Sequence, residues 1–412
     1  FLALVLGVIG TTMGMQRAVA AEKVAIEQRD RAERLFAEGL DMASTFITEF
    51  YESIKALPGS VKAQELIVSK GLAYLEDAPA DANDNPEFVV VLQRGYLRIG
   101  DIQAALYGSG YADRREALAT YLKARDLVDA VRARMTSPHG ELTFGAGMAR
   151  LKLSDTYEAL RDVPKAKQNL AEALPLLRDS IALGVPAERA LASAEMQTGD
   201  LLLDENDVAG ARAAFEASRA NRDAALEKDR TQTTLRDAST IRLRLGDIAY
   251  RTKDYAQAAD WYREALRLRL DHLALDPPGE VSARSQRDVM SARWFLGRAL
   301  QGMGEMAQAE LELRDAFASA QALVESSPDD ARASAVMLVN IGNSLQQLLT
   351  ATDRFDEAEA VLAPALATIE QAAAARPDDP QMQERLADLL AEYANLRIRM
   401  GDPMAGLSSA DR

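Results

Sequence analysis

The chain has 412 residues, 48% apolar and 6% aromatic, with no cysteine and a formal net charge of −15 at pH 7. The lack of cysteine excludes disulfides, zinc–thiolate sites and thiol catalysis. The acidic balance argues against nucleic acid or an anionic membrane surface as a partner, because both require a basic face.

The chain opens with an uncharged apolar stretch, FLALVLGVIGTTMGM, at residues 1–15. A complete bilayer span needs about 20 apolar residues. Because this stretch is shorter and the numbering opens on Phe1 rather than on Met, we predict a truncated transmembrane helix and a single-pass, membrane-anchored chain. The apolar core of a signal peptide and a buried helix are the alternatives. The membrane orientation is not predicted, because the positive-inside rule compares both flanks.

Residues 16–85 predict a juxtamembrane helical region. Gln16–Glu38 is dense in Ala, Glu, Arg and Lys and contains neither Gly nor Pro, which favours a helix. An apolar stripe at helical spacing follows, formed by Phe46, Ile47, Phe50 and Ile54. After a Pro-Gly break, Ser60 is the predicted N-cap of a helix over Val61–Leu75.

Residues 86–412 predict a repeat domain with a period of about 48 residues, which we align on the small residue that opens each second helix. These residues are Ala117, Ala166, Ala211, Ala258, Ala309 and Ala358. Four positions later a large residue follows each time: Tyr121, Leu170, Phe215, Tyr262, Leu313 and Leu362. Three positions after that the residue is small again: Ala124, Ala173, Ser218, Ala265, Ala316 and Ala365.

Each first helix carries one small residue upstream of the aligned alanine: Gly100, Ser154, Gly199, Gly246, Gly297 and Gly342. The clearest copy, Leu243–Leu268, resembles the helix–turn–helix skeleton of a tetratricopeptide repeat (TPR). Small residues are needed where the two helices approach, and Tyr262 fills the space between them. We therefore predict an all-α fold: an α-solenoid of about six and a half TPR-like helix pairs, after an N-terminal membrane and juxtamembrane helix.

One row of residues stands out as a candidate binding surface, because it directly follows the small residue of each first helix. The row consists of Asp101, Asp155, Asp200, Asp247, Arg298 and Asn343. First helices line the inner surface of TPR arrays, so the row predicts a largely acidic groove that favours a basic or amine-bearing ligand. The alternative is local pairing three residues apart on one helix, as between Lys152 and Asp155 or Arg244 and Asp247.

No motif in the chain predicts a catalytic, cofactor or metal site. Gly302–Ala307 matches G-x-G-x-x-A, but helical sequence precedes it where a dinucleotide fold requires a strand. We interpret it as the turn within a repeat. Paired acids such as Asp329-Asp330 lie beside proline and indicate turns and helix starts.

Residues 30–125 resemble the region that follows the membrane helix in a family of bacterial TPR-bearing serine/threonine protein kinases. The matching features are the stripe Phe46, Phe50 and Ile54, Leu57–Ser60, Ala63, Leu66, Leu72–Leu75 and Tyr96–Asp101. In that family a cytoplasmic kinase domain precedes one membrane helix and the repeats follow on the far side. The resemblance implies a kinase domain upstream of this chain and an extracytoplasmic, periplasmic repeat region. No residue here matches a kinase catalytic motif.

The function predicted from the sequence is a non-catalytic scaffold or sensor region that binds a protein or peptide, or that mediates self-association. A stand-alone soluble or secreted TPR adaptor is the alternative. An enzyme built on a helical array is a third class, and it would require a cluster of carboxylates or histidines that the sequence does not offer.

Overall fold

The protein is helical throughout the part of the chain that the computed structural model describes. That part contains α-helices, single helical turns of other types and no β-strand. The described residues are 22–23, 28, 31, 34–54, 60–78, 82, 84–106, 111–277, 282–326, 331–375, 377 and 379–402. The predicted helix at 16–38 lies largely outside them.

The N-terminal segment, residues 34–54, is helical and contains a π-helical turn at Phe46–Phe50 before Tyr51–Ile54. The helices that follow are α1 Val61–Glu76, α2 Pro86–Leu106, α3 Tyr111–Arg132, α4 Gly140–Ala159, α5 Val163–Ala182, α6 Glu188–Asp204, α7 Val208–Lys228, α8 Gln232–Arg251, α9 Tyr255–Leu273, α10 Ala283–Met303, α11 Met306–Ser326, α12 Ala331–Ala351, α13 Phe355–Ala375 and α14 Pro380–Arg399. From α2 onward, even-numbered helices are the first and odd-numbered helices the second members of the predicted pairs. Helices of about 20 residues explain the period of about 48, because two such helices and their turns exceed a 34-residue TPR.

The chain divides into two compact units, Phe1–Ala194 and Glu195–Arg412, and the division falls within α6. From α1 to α5 in the first unit, and from α7 to α14 in the second, helices that are neighbours in the chain pack on each other. First helices also contact one another, α2 with α4 in the first unit and α10 with α12 in the second. This is the connectivity of stacked helix pairs, and it confirms the predicted all-α, TPR-like solenoid class.

The aligned repeat positions form the core, as predicted. All six aligned alanines are completely buried, and the large residues four positions later are at most 3% exposed. In four of the six pairs, the first-helix glycine faces that large residue. A Cβ added to Gly246 would lie 2.4 Å from Cε1 of Tyr262, and one added to Gly199 would lie 2.3 Å from Cε1 of Phe215. Only a glycine permits the helices of these pairs to approach so closely.

The turn inside a pair has a recurring conformation that the sequence analysis missed. Five residues before the aligned alanine, the backbone is left-handed (φ between +57° and +83°) at Arg161, Asn206, Lys253, Gly304 and Asp353. The next residue is an aspartate in three pairs, and its side chain caps the second helix; Asp254 accepts from the amide of Gln257 at 3.1 Å. The turn reverses the chain, and the cap satisfies an amide that the new helix leaves unpaired. Gly304 is one of these turn residues, which agrees with our interpretation of Gly302–Ala307.

The N-terminal segment and α1 pack onto the first helix pair. Ile47 is completely buried in one apolar cluster with Val68 of α1 and Phe88 of α2. The predicted helix at Val61–Leu75 is confirmed, whereas Ser60 does not cap it: its Oγ accepts from Nε2 of Gln64 at 2.8 Å. The domain boundary at residue 86 stays a prediction.

The prediction of a single-pass membrane anchor followed by periplasmic repeats is wrong. Among the described residues, no helix is both long enough and apolar enough to cross a bilayer. The repeat helices reach about 30 Å, which is a sufficient length. They are amphipathic, however, and place their apolar stripe against neighbouring helices. Residues 1–15, where the span was predicted, lie outside the described residues.

Candidate functional site

A groove lies between the first helices of the first two pairs, and we call it the α2–α4 groove. It has a volume of about 560 Å³. Arg94, Leu97, Arg98 and Asp101 line it from α2; Glu141, Phe144, Gly145, Met148 and Lys152 line it from α4. Thr48 and Tyr51 contribute from the N-terminal segment, and Arg189 contributes from the start of α6. The groove therefore lies on the surface formed by first helices, where the repeat pattern predicted a binding surface.

The floor of this groove depends on a close approach of α2 and α4. Nε2 of Gln93 donates a 3.0 Å hydrogen bond to the backbone oxygen of Gly145. A Cβ added to Gly145 would lie 2.8 Å from Oε1 of Gln93, so the side-chain amide occupies the space that glycine leaves open.

Two ion pairs cross from α2 to α4 along the groove. Arg94 binds Glu141 at 2.9 Å, and Lys152 binds Asp101 at 2.8 Å. Between these pairs the guanidinium of Arg98 lies 4.6 Å from the centre of the Tyr51 ring, in a cation–π contact. Charged and apolar groups thus alternate along the groove, which suits a peptide better than a small apolar ligand.

Asp101 of the predicted acidic row lines this groove, and Asp155 lines a second cavity of about 460 Å³ beside it. The Lys152–Asp101 pair borders both cavities. Asp101 also accepts a 2.7 Å hydrogen bond from the hydroxyl of Tyr121. Burial, and then the charge of Asp101, raise the pKa of Tyr121 above its usual range, so the hydroxyl remains a donor.

Asp200 and Asp247 of the row lie in the second unit, and Arg244 connects them. Nε of Arg244 lies 2.9 Å from Oδ1 of Asp200, whereas its Nη1 lies 3.7 Å from Oδ2 of Asp247. The closer partner is on the preceding first helix, as it is for Lys152 and Asp101. For these two cations the closest pairing runs between successive first helices, rather than along one helix as the sequence alternative supposed.

Arg298 and Asn343 complete the row. The guanidinium of Arg298 lies over the rings of Tyr250 and Trp294, at 4.7 Å and 5.4 Å from their centres. Oδ1 of Asn343 is buried, and no donor among the described residues reaches it. The structure thus places every row residue on a first helix, and a ligand-binding role for the row stays a prediction.

Arginines at one repeat position form ion-pair forks that the sequence analysis missed. They lie four residues before the small residue of a first helix: Arg150, Arg242 and Arg293. Arg150 binds Asp129 at 2.8 Å on the second helix of the preceding pair and Glu172 at 2.9 Å on the second helix of its own pair. One guanidinium therefore joins two successive pairs.

Arg242 repeats this geometry with Asp223 and Glu264, both at 2.8 Å. The partner on the preceding pair lies 12 residues after the aligned alanine of that pair, and the partner on the same pair lies 6 residues after its aligned alanine. The repeat alignment therefore contained a signal for both forks. The forks of Arg150 and Arg242 thus join successive pairs, whereas Arg293 binds Glu312 and Asp315, which both lie on the second helix of its own pair. Among the described residues, no three His, Asp or Glu side chains are grouped in a way that would hold a metal ion.

Comparison with known proteins supports the repeat assignment. A tetratricopeptide-repeat family model matches residues 239–278. No curated protein matches the sequence. Among solved structures, the apo form of the quorum sensor NprR from B. thuringiensis is similar over 93% of this chain and 92% of its own, with a TM-score of 0.54 and 11% identity.

Two further solved structures have similar scores. The apo form of RapI matches over 90% of this chain and 96% of its own, with a TM-score of 0.53 and 11% identity. PH0952 from Pyrococcus horikoshii, a signal transduction ATPase with numerous domains and a tetratricopeptide repeat sensor, matches over 89% of this chain and 49% of its own, with a TM-score of 0.54 and 13% identity. At these identities the likeness establishes the fold alone. Nothing in the comparisons assigns the chain to a kinase.

Proposed function

We propose that this chain is a non-catalytic helical-repeat module that binds a protein or peptide segment in the α2–α4 groove. The observation that carries the proposal is the groove itself. It is open, about 560 Å³ in volume, and presents Phe144 and Met148 between two ion pairs. Apolar anchors flanked by polar groups are the usual composition of a peptide-binding surface. The TPR-like fold and the sensor proteins that share it agree with such a role.

The chemistry of the groove supports a non-catalytic role. Its acids, Asp101 and Glu141, are engaged in ion pairs with neighbouring cations. Neither histidine, His139 or His272, is among its lining residues. General acid–base catalysis requires a group held ready for proton transfer to a substrate, and the groove presents paired charges instead.

Selection from a random peptide library, displayed on phage against the purified chain, tests this proposal. An enriched peptide, synthesised with a fluorophore, is titrated by anisotropy against wild type and Phe144→Ala. Removing a half-buried ring from the groove should weaken binding about tenfold, because aromatic anchors contribute most of the energy at such sites.

The matched control is Leu66→Ala, which removes an apolar side chain that is 61% exposed and lies outside the groove lining. This variant should bind as wild type does, and circular dichroism should show that both variants are folded. Enriched peptides that bind Phe144→Ala as tightly as wild type would contradict the groove as the site. A library without any enriched peptide would contradict peptide binding.

The resemblance of residues 30–125 supports a finer proposal: the module belongs to a serine/threonine protein kinase, as its sensor or scaffold region. A stand-alone adaptor is the alternative. Sequencing the coding region upstream of residue 1 separates the two. An open reading frame with kinase catalytic motifs, continuous with this one, supports the kinase. A start codon followed by a short leader supports the adaptor.

Self-association is a second candidate, favoured by apolar side chains on the outside of the N-terminal segment. Leu35, Met42 and Phe50 are between 46% and 58% exposed and lie seven and eight residues apart, about two helical turns each. A second copy of the chain offers the same stripe, which suits a symmetric pair. Sedimentation of wild type and Met42→Glu over a range of concentrations tests it: a dimer that Met42→Glu abolishes supports the proposal, and a wild-type monomer contradicts it.

A further inference from the structure

We propose that the α2–α4 groove selects an acidic peptide segment and holds it through side-chain carboxylates. This inference rests on the proposed function, because it names the ligand class of the same groove. It is opposite in sign to the basic ligand that the acidic row predicted.

The charge of the lining carries the first step. The groove is lined by four cations, Arg94, Arg98, Lys152 and Arg189, and by two acids, Asp101 and Glu141. Over the whole chain the ratio is reversed, with 48 Lys and Arg against 63 Asp and Glu. A net acidic protein therefore has a net basic lining at its peptide-sized groove. Complementary charge chiefly sets which partner binds and how fast it arrives.

The two ion pairs in the groove do not remove this preference. Arg94 and Glu141 are each 39% exposed, and Lys152 and Asp101 are 29% and 22% exposed. Ion pairs that remain in contact with water contribute little free energy. A ligand carboxylate is therefore able to join or replace Glu141 on Arg94 at small cost, and to join Asp101 on Lys152.

The spread of the cations along the groove indicates side-chain carboxylates rather than a chain terminus. On α2, Arg94 and Arg98 lie one helical turn apart, about 6 Å along the axis, and the Asp101–Lys152 pair lies about 10 Å beyond Arg94. A single terminal carboxylate is able to bind only one of these cations. In an extended segment, by contrast, carboxylates on every second residue lie on one face, about 7 Å apart. The spacing of the cations suits the second arrangement.

Apolar groups between the cations define the rest of the ligand. Phe144 and Met148 lie one turn apart on α4, between the residues that form the two ion pairs. An acidic segment that also carries an apolar side chain therefore satisfies the groove. A highly charged ligand without an apolar residue leaves this surface in contact with water.

The charge of the peptides enriched from the library tests the inference. Display joins the carboxyl end of each peptide to the phage coat, so enrichment does not depend on a free terminus. An enriched peptide, acetylated and amidated at its ends, is then titrated against wild type, Arg98→Gln and Arg94→Gln. Each substitution should weaken binding about fivefold. The control Arg125→Gln removes an equal charge on α3, outside the groove lining, and should change binding less than about twofold.

The outcomes separate this inference from the proposed function. Acidic enriched peptides that lose affinity with Arg98→Gln and Arg94→Gln establish the ligand class. Basic or neutral enriched peptides that depend on Phe144 leave the proposed function standing and overturn the acidic preference. Acidic peptides unaffected by either substitution bind elsewhere, which also overturns it. No enrichment overturns both.

Discussion

The hydroxyl of Tyr262 donates a 2.8 Å hydrogen bond to Oδ1 of Asp247, and so joins the second helix of a pair to the predicted row on its first helix. The same relationship recurs in the first unit between Tyr121 and Asp101, at 2.7 Å. In both pairs the residue that fills the space against the first-helix glycine also holds the next side chain in place. Asp247 and Asp101 of the predicted row are therefore held by a tyrosine of their own pair in the absence of a ligand.

Tyr262→Phe should lower the stability of the second unit by about 1 kcal/mol, because it removes a donor from a largely buried carboxylate and leaves the ring packing unchanged. Tyr74→Phe, which removes a hydroxyl from a tyrosine that is 49% exposed, is the control and should have no measurable effect. Urea titration followed by circular dichroism measures both. Equal stability of Tyr262→Phe and wild type would show that water replaces the lost hydrogen bond.

Asp247→Asn should alter how stability depends on pH. Burial raises the pKa of Asp247, although the Tyr262 hydrogen bond and the charge of Arg244 act in the opposite direction. A raised carboxyl pKa means that the folded protein binds the proton more tightly. Its contribution to stability is therefore present below the unfolded pKa of about 3.9 and is lost as pH rises through the folded pKa.

The Asp247→Asn variant cannot lose a proton, and it keeps an oxygen that accepts from Tyr262. Its midpoint of thermal unfolding should therefore rise relative to wild type as the pH increases from the unfolded carboxyl pKa, about 3.9, through the folded one. Melting curves at several pH values measure this difference. A difference that stays constant with pH, or that falls, would show that burial does not raise the pKa of this carboxyl group.

Arg242→Met should destabilise the second unit by about 2 kcal/mol, because it removes a largely buried guanidinium that joins Asp223 to Glu264 through two charged hydrogen bonds. Arg242→Lys should recover part of the loss, since an ammonium group is unable to form the fork to both carboxylates. The control is Arg263→Met, whose ion pair with Asp260 is exposed and should contribute less than about 1 kcal/mol. Similar unfolding midpoints for Arg242→Met and Arg263→Met would show that the fork does not stabilise the array.

Gly246→Ala should destabilise the protein by about 1–3 kcal/mol, because the new Cβ would lie 2.4 Å from Cε1 of Tyr262 and force the helices apart. This cost exceeds the gain of up to about 1 kcal/mol from higher helix propensity. The matched control is Gly342→Ala, at the same repeat position. There the new Cβ would lie 3.2 Å from its nearest neighbour, Cε2 of Phe317. Thermal unfolding should separate the two variants, and a stabilised Gly246→Ala would disprove the close-approach argument.

Much of the array was predictable from local pattern. The helix pairs, the buried alanines and the contact of Gly246 with Tyr262 all followed from the spacing of small and large residues, because one helical period places them on one face. The forks of Arg150 and Arg242 have a repeat signature too, but their partners lie on different helices. Charged residues are also common on solvated faces, so spacing alone did not distinguish these arginines.

The candidate site was less predictable. The sequence placed Asp101 in an acidic row and implied a basic ligand, whereas the fold places Asp101 in a groove that is also lined by cations from three separate stretches: Arg94 and Arg98, Lys152, and Arg189. Lys152 and Asp101 are 51 positions apart in the chain and 2.8 Å apart in space. Patterns of residue spacing within one helix therefore give no indication of this contact.

The sequence by itself determined the helices, their pairing and the residues that each pair buries, because these depend on the spacing of apolar and small side chains within a few turns. Only the tertiary structure decided which charges meet and what sign the groove has. Ion pairs between successive first helices depend on how one pair stacks on the next, and that stacking follows from packing between helices that are distant in the chain.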